Sequence, residues 1–200
     1  MPSRRASLAA VLLAALALVV TAGVVAFADA GALSGRTATE ASTGTARAND
    51  ATASLRDPVV LHVSGDGWLE RAVGDRVEAR LADRGAEVTR VDSLDGPVDS
   101  AVLVIAVTDA RVEYDPFSPS SRVSAEFAYV ASGNVTLAQD MLAADPIVIS
   151  SSVDSYVVGG DVTVEDETSG LATWPAYQRR IADLVADPIV ENLGDAPGME

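Results

Sequence analysis

An uncharged apolar segment near the N-terminus constrains this chain more than any other feature. It runs from Ala6 to Ala28, directly after Arg4 and Arg5, and comprises 23 residues. As a helix this length would measure about 34 Å, enough to cross a hydrocarbon core of about 30 Å. By the positive-inside rule, the paired arginines place the N-terminus in the cytoplasm. The segment therefore predicts that residues 29–200 lie outside the cell membrane.

Three ways of processing this segment stay open. The apolar run is longer than the apolar region of a common signal peptide, about 7–15 residues, which favours an uncleaved anchor. Small residues around Ala28 and Ala30 also fit a signal-peptidase site, and cleavage there would secrete the domain. The paired arginines resemble a twin-arginine export signal, whereas Arg5-Ala6 resembles the cleavage site of archaeal prepilins and implies a minor pilin-like surface subunit. We expect the anchor, a single-pass span that contacts the membrane through residues 6–28.

The composition is acidic and lacks two residue types. The net charge is −15, all 14 basic residues are Arg, and there is no Cys. Such a Lys-free, acidic chain resembles the proteins of halophilic archaea, and its self-repulsion is screened at 1 M salt, where the Debye length is about 3 Å. We therefore expect the fold to require molar salt. The lack of a basic face excludes nucleic acid as a partner, and the lack of Cys excludes disulfides and thiolate chemistry.

Composition and hydrophobic periodicity divide the chain into three parts. The N-terminal segment occupies residues 1–30. Residues 31–57 are rich in Ala, Ser, Thr and Gly, a composition that predicts a flexible linker. Residues 58–195 have the length of one ordinary domain, which we expect to be extracytoplasmic.

The patterns within this domain predict an α/β (α+β-like) fold. A strand from Val59, a helix over about 67–84 and a strand over 86–91 predict a β-α-β unit with parallel strands. Two long strands should follow, beginning near Ala101 and Arg122. The expected result is a mixed, largely antiparallel sheet packed by two or three helices. This order of elements is similar to that of small envelope-associated α/β domains such as the curli-secretion lipoproteins.

The rest of the domain is predicted from turn residues. The "SGN" turn at 132–134 predicts a hairpin into a further strand, "VTLAQDML". Gly159-Gly160 predicts a break between two strands, and the acidic "DVTVEDETSG" after it predicts a solvated turn rather than a calcium loop. The closing helix should run from about Trp174 to Leu193, with a kink or restart at Pro188.

No residue set predicts catalysis, and we expect neither a metal nor a cofactor. His62 is the only histidine, and it lacks a nearby partner that would orient it as a base. Ser64 and Asp66 follow it at the carboxyl end of the first strand, where a hydrolase or a small-ligand-binding domain would hold its ligand. We expect His62 to be packed and Asp66 to cap the helix. These three residues are the candidate ligand site.

An aromatic pair is the candidate partner-binding site. Tyr114 and Phe117 flank a proline in a predicted loop, where exposed rings can anchor a partner or simply cover the sheet edge. Asn134 begins an N-x-T sequon, a candidate glycosylation site on an exported protein. The sequence predicts a non-enzymatic, membrane-tethered domain that contacts an envelope or surface protein. The hydrolase or ligand-binding domain and the pilin-like subunit are the alternatives.

Overall fold

The computed structural model describes residues 34–46, 58–65, 67–96, 98–143 and 156–194. The apolar segment 6–28 and Asp66 lie outside these residues. The elements are β1 (Ser34–Ala46), β2 (Val59–Ser64), α1 (Trp68–Asp83), β3 (Val88–Val91), β4 (Ala101–Glu113), β5 (Ser120–Val130), α2 (Val135–Ala143), β6 (Val157–Ser169) and α3 (Trp174–Gly194). None of these helices is long and apolar enough to cross a membrane.

The six strands form one mixed sheet in the order β1-β6-β5-β4-β2-β3. The pairs β2–β3 and β2–β4 are parallel, whereas β1–β6, β4–β5 and β5–β6 are antiparallel. The predicted β-α-β unit and the mixed, largely antiparallel sheet with three helices are therefore confirmed. In β5, alternate apolar residues are buried on one face, namely Val123, Ala125, Phe127 and Tyr129.

Helices cover both faces of the sheet. On one face α1 and α3 enclose the larger core, which includes Leu81, Phe127 and Ile181. On the other face α2 covers a smaller apolar cluster that includes Val104 and Met141. Strands β2 and β6 run in the same direction, and α1 and α3 each follow one of them, so the two helices lie parallel to each other.

Ion pairs join α1 and α3 along their length. Arg76 Nε lies 3.2 Å from Asp183 Oδ1, and Arg80 Nε lies 2.8 Å from Asp187 Oδ1. Further along, Arg84 donates a hydrogen bond of 2.6 Å to a backbone carbonyl of α3. These contacts fix the two helices side by side, so that both begin at the same end of the domain.

The linker prediction for residues 31–57 is wrong over Ser34–Ala46, which forms strand β1. This segment pairs with β6 over its full length, from Ser34 opposite Ser169 to Ala46 opposite Val157. Its threonines alternate at positions 37, 39, 43 and 45, a period of two that suits a strand of β-branched residues. Residues 35–44 are exposed, so pairing with β6 rather than burial of β1 side chains holds the strand in place. The rest of the predicted linker lies outside the described residues.

A buried carboxylate ties β1 to the core. The Asp166 side chain is fully buried and accepts hydrogen bonds from Thr37 Oγ1 at 2.7 Å, Thr168 Oγ1 at 2.6 Å and Arg180 Nη2 at 2.9 Å. Burial acts to raise the pKa of Asp166, but the hydrogen bonds from Arg180, Thr168 and Thr37 outweigh it and hold this pKa below its ordinary value. Burial also raises the pKa of the neighbouring Tyr177 to about 12. The predicted solvated turn is therefore wrong here, because Asp166 lies in a strand and is paired.

Strand β6 continues through Gly159-Gly160, where the sequence predicted a break. Strand β1 lies so close to β6 at this point that a Cβ atom on Gly160 would collide with the carbonyl oxygen of Ser42. Glycine is required here because it lets two backbones approach each other closely.

We expect Gly160→Ala to lower the free energy of unfolding by about 2 kcal/mol, because the added methyl group must push β1 away from β6. Denaturant unfolding in molar salt measures this loss, and amide exchange should speed up in β1. Thr163→Ala, in the same strand, is the control and should cost less than about 1 kcal/mol. Equal losses for the two variants would contradict the assigned role of Gly160.

The segment "VTLAQDML" forms helix α2 and not the predicted hairpin strand. The Asn134 side chain caps the helix by accepting a hydrogen bond of 3.0 Å from the Leu137 backbone N–H. Val135, Ala138 and Met141 are buried at a spacing of three, which matches a helix and not a strand. The turn before it exists, with Gly133 at φ 73°.

Helix α3 continues through Pro188, so the predicted restart there is wrong, while the alternative, a kink, stays a prediction. Proline inside a helix costs about 3 kcal/mol or more, since it removes one hydrogen bond and crowds the preceding turn. Ile189, Val190 and Leu193 follow it and are buried in the main core. Burial of these three side chains offsets that cost.

Candidate functional site

The β4–β5 hairpin extends beyond the carboxyl end of β2. Strand β4 pairs with β2 only as far as Ala106, opposite Ser64, and then continues to Glu113 with β5 as its partner. Backbone hydrogen bonds fix its tip to the segment that follows β6, with Gly170 N donating to Phe117 O at 3.0 Å and Ala172 N donating to Pro116 O at 2.8 Å. The tip therefore lies at the end of the domain where α1 and α3 begin.

Three aromatic rings stack at this end, and we call them the aromatic ladder: Trp68, Trp174 and Tyr114. The centroid of Trp174 lies 5.3 Å from that of Trp68 and 5.1 Å from that of Tyr114, both in edge-on geometry. The Tyr114 hydroxyl donates a hydrogen bond of 2.8 Å to the carbonyl oxygen of Ala172. Through these contacts the ladder joins the first residues of α1 and α3 to the hairpin.

Large apolar side chains are exposed beside the ladder. Among the described residues, three are exposed, namely Phe117 at 68%, Leu171 at 56% and Tyr114 at 39%. We call Phe117 and Leu171 the apolar tip. Of the predicted aromatic pair, Tyr114 packs on Trp174 while Phe117 faces solvent. The assignment of this pair to a partner stays a prediction.

An open groove of about 580 Å³ lies between α1 and α3 next to the ladder. Its lining residues are Trp68, Arg71, Ala72, Asp75, Pro175, Gln178 and Arg179. Asp75 is paired with Arg90 at 2.8 Å. Within the part of the chain that the structure describes, Arg71 and Arg179 form no ion pair. The groove thus offers two guanidinium groups and an indole to a bound molecule, which suits carboxylates beside apolar or aromatic groups.

The sequence did not reveal this groove. Arg71 and Arg179 lie 108 positions apart, and nothing local in either segment predicts that they meet. The available signal was the tryptophan at the first residue of each helix, Trp68 and Trp174. Two tryptophans at equivalent positions in helices that follow parallel strands would have predicted a contact at one end of the sheet.

The candidate ligand site on β2 faces the other way. His62 and Ser64 alternate with Leu61 and Val63, which are buried against α1 and α3, so both point to the opposite face of the sheet. His62 Nδ1–H donates to the Val91 carbonyl oxygen at 3.2 Å, and Ser64 Oγ donates to the Ile105 carbonyl oxygen at 3.4 Å. The structure does not bring them to the groove, and the ligand role stays a prediction.

Two other sequence candidates can be placed. Asn134 is exposed at the start of α2, where its Oδ1 atom is used in capping, and its glycosylation stays a prediction. Among the described residues, no group of three or more His, Asp or Glu side chains is arranged to hold a metal ion.

The described residues define a single mixed α/β domain with an exposed aromatic end. No family model matches the chain, and no curated protein does. Among solved structures, the chain is similar to two PelC dodecamers from Paraburkholderia phytofirmans. The identities are 9% and 10%, and in both cases 77% of this chain and 97% of the PelC chain are covered with a TM-score of 0.39.

Proposed function

We propose that this protein is a non-enzymatic domain, tethered to the outer face of a cell membrane, that binds an envelope or surface protein in a high-salt environment. The observation that carries the proposal is the aromatic ladder beside a groove with two arginines. The apolar segment 6–28 supports the tether, since it is long enough to span a bilayer.

The residue types at this end favour a protein partner. Trp, Tyr and Arg are the side chains that contribute most often to binding energy at protein interfaces. The rings of the ladder already contact one another, and Tyr114 is hydrogen-bonded to Ala172, so they should lose less entropy on binding a partner than free side chains would. Arg71 and Arg179 are exposed, so a partner's carboxylates can reach both guanidinium groups.

Site-specific photo-crosslinking of the full chain in its native membranes tests the proposal. A photoreactive residue at Gln178, which lines the groove, should form a discrete adduct with one protein. Gln139 is the matched control, because it is an exposed glutamine on α2, on the opposite face of the sheet. Reversing the two groove charges with Arg71→Glu and Arg179→Glu should weaken the adduct about tenfold or more, as two charge-assisted hydrogen bonds are lost.

Two results would contradict the proposal. One is crosslinking of equal strength from positions 178 and 139, which would indicate random collision. The other is an adduct at 178 that charge reversal leaves unchanged, since the two arginines would then have no part in binding.

A further inference from the structure

We propose that the apolar tip, Phe117 and Leu171, rests in the interface of the same bilayer that the N-terminal segment spans. This inference rests on the tether in the proposed function and adds a second contact between the domain and the membrane. It assigns a lipid surface to the tip, while the groove stays the site for the protein partner.

The first strand of the domain begins close to the hairpin tip. Strand β1 begins at Ser34, which pairs with Ser169, and the next residue, Gly170, is hydrogen-bonded to Phe117. Two strand spacings, about 10 Å, therefore separate the start of β1 from the hairpin tip. The chain enters the domain at the end that carries the exposed apolar side chains.

Few residues connect the apolar segment to β1. The apolar segment ends at Ala28, six residues before Ser34. Six residues reach at most about 20 Å even when fully extended. The tip therefore lies within reach of the bilayer surface and cannot move far from it while the segment spans the membrane.

The side chains at the tip are of the types found at membrane interfaces. Phe117 and Leu171 are the most exposed large apolar side chains in the described part of the chain, and both are at this end. Tyr114 lies three positions before Phe117, and its hydroxyl donates a hydrogen bond to the carbonyl oxygen of Ala172, the residue after Leu171. Tyr is one of the residue types that concentrate at membrane interfaces, so apolar groups with Tyr beside them match the gradient from acyl chains to head groups.

The charged residues around the tip argue against electrostatic binding to anionic lipids. Glu113 and Asp115 flank the tip and are exposed, so anionic lipids would repel it. We therefore expect insertion of the apolar side chains into an uncharged interface. Molar salt should preserve this contact, because screening weakens charge interactions and not apolar burial.

The test uses the full-length protein reconstituted in phosphatidylcholine vesicles in molar KCl. The chain has no Cys, so Ser118→Cys accepts a single fluorescent label at the tip. Asp83→Cys places the same label at the far end of α1, about 22 Å along the helix from Trp68. A lipid with a nitroxide on its head group should quench the label at position 118 and leave that at position 83 unquenched. Phe117→Ser combined with Leu171→Ser should abolish quenching at 118.

Each outcome decides between the two proposals. If the protein resists extraction with alkaline carbonate but position 118 is no more quenched than position 83, the tip contact is wrong and the tether stands. Quenching at 118 that persists in the double variant also overturns the tip contact. If carbonate extracts the protein, the tether is wrong and the tip contact falls with it.

Discussion

Asp166→Asn is expected to lower the free energy of unfolding by about 3 kcal/mol. The amide keeps the size of the side chain but removes the charge that faces Arg180, and because only one of its two polar atoms accepts, either Thr37 or Thr168 loses the acceptor of its hydroxyl. Removing one member of a buried pair typically costs 3–5 kcal/mol. We expect the low end because the Arg180 side chain is 28% exposed and can partly hydrate. Denaturant unfolding of the full chain in molar salt measures the loss, and amide exchange in β1 locates it.

Glu165→Gln is the matched control, because it changes the adjacent carboxylate. Glu165 pairs with Arg122 at 3.1 Å, but both side chains are more than half exposed. An exposed pair contributes at most about 1 kcal/mol, and less in high salt. A similar loss for the two variants would show that the Asp166 cluster has no special part in holding β1.

The pH dependence should differ between the wild type and the Asp166 variant. The pKa of Asp166 is below its ordinary value in the folded protein, so its carboxylate stabilises the fold fully above the unfolded pKa of about 4. That contribution is lost as the pH falls through the lowered folded pKa. The difference in stability between wild type and Asp166→Asn should therefore be constant near neutral pH and shrink below about pH 4.

Withdrawal of salt is expected to unfold the domain. With a net charge of −15, repulsion between carboxylates grows as the Debye length rises from about 3 Å at 1 M to about 10 Å at 0.1 M salt. The contact between Trp68 and Trp174 provides a near-ultraviolet circular dichroism signal that should disappear in dilute buffer.

Three solutes separate screening from other effects of salt. Potassium chloride and choline chloride should preserve the signal equally at equal ionic strength if screening is the cause. Sucrose of matched osmolarity should not replace them. An unchanged thermal midpoint between molar and 0.1 M salt would show that this fold needs no screening.

Local patterns predicted the elements that bury an apolar face. The helix predicted over about 67–84 is α1, where Leu69, Val73, Val77 and Leu81 are buried at helical spacing, and the strand predicted near Arg122 is β5, whose alternate residues are buried. Helix α2 was within reach of the same reasoning, because Asn134 is a good cap and its apolar residues have helical spacing. The interpretation failed there because the preceding turn was taken for a hairpin turn.

Other features depend on contacts between distant parts of the chain. Strand β1 has no buried apolar face, so its sequence alone resembles a linker, and only its pairing with β6 defines it. Asp166 is one carboxylate among 29 acidic residues, and its burial depends on Arg180 and on β1. The groove likewise requires α1 and α3 to lie parallel, which follows from the direction of β2 and β6 and from no local signal.

The position of β1 has a consequence for how the protein reaches its folded state. This strand is the first to be synthesised, yet its partner β6 begins at Val157, 111 residues after the end of β1 at Ala46. At about 5–20 residues per second, β6 follows roughly 5–22 s later. During synthesis, β1 must therefore wait unpaired until nearly all of the domain has been made. A chain cut short before β6 leaves β1 without its partner, so the integrity of the C-terminal part decides whether the first strand of the domain is ordered.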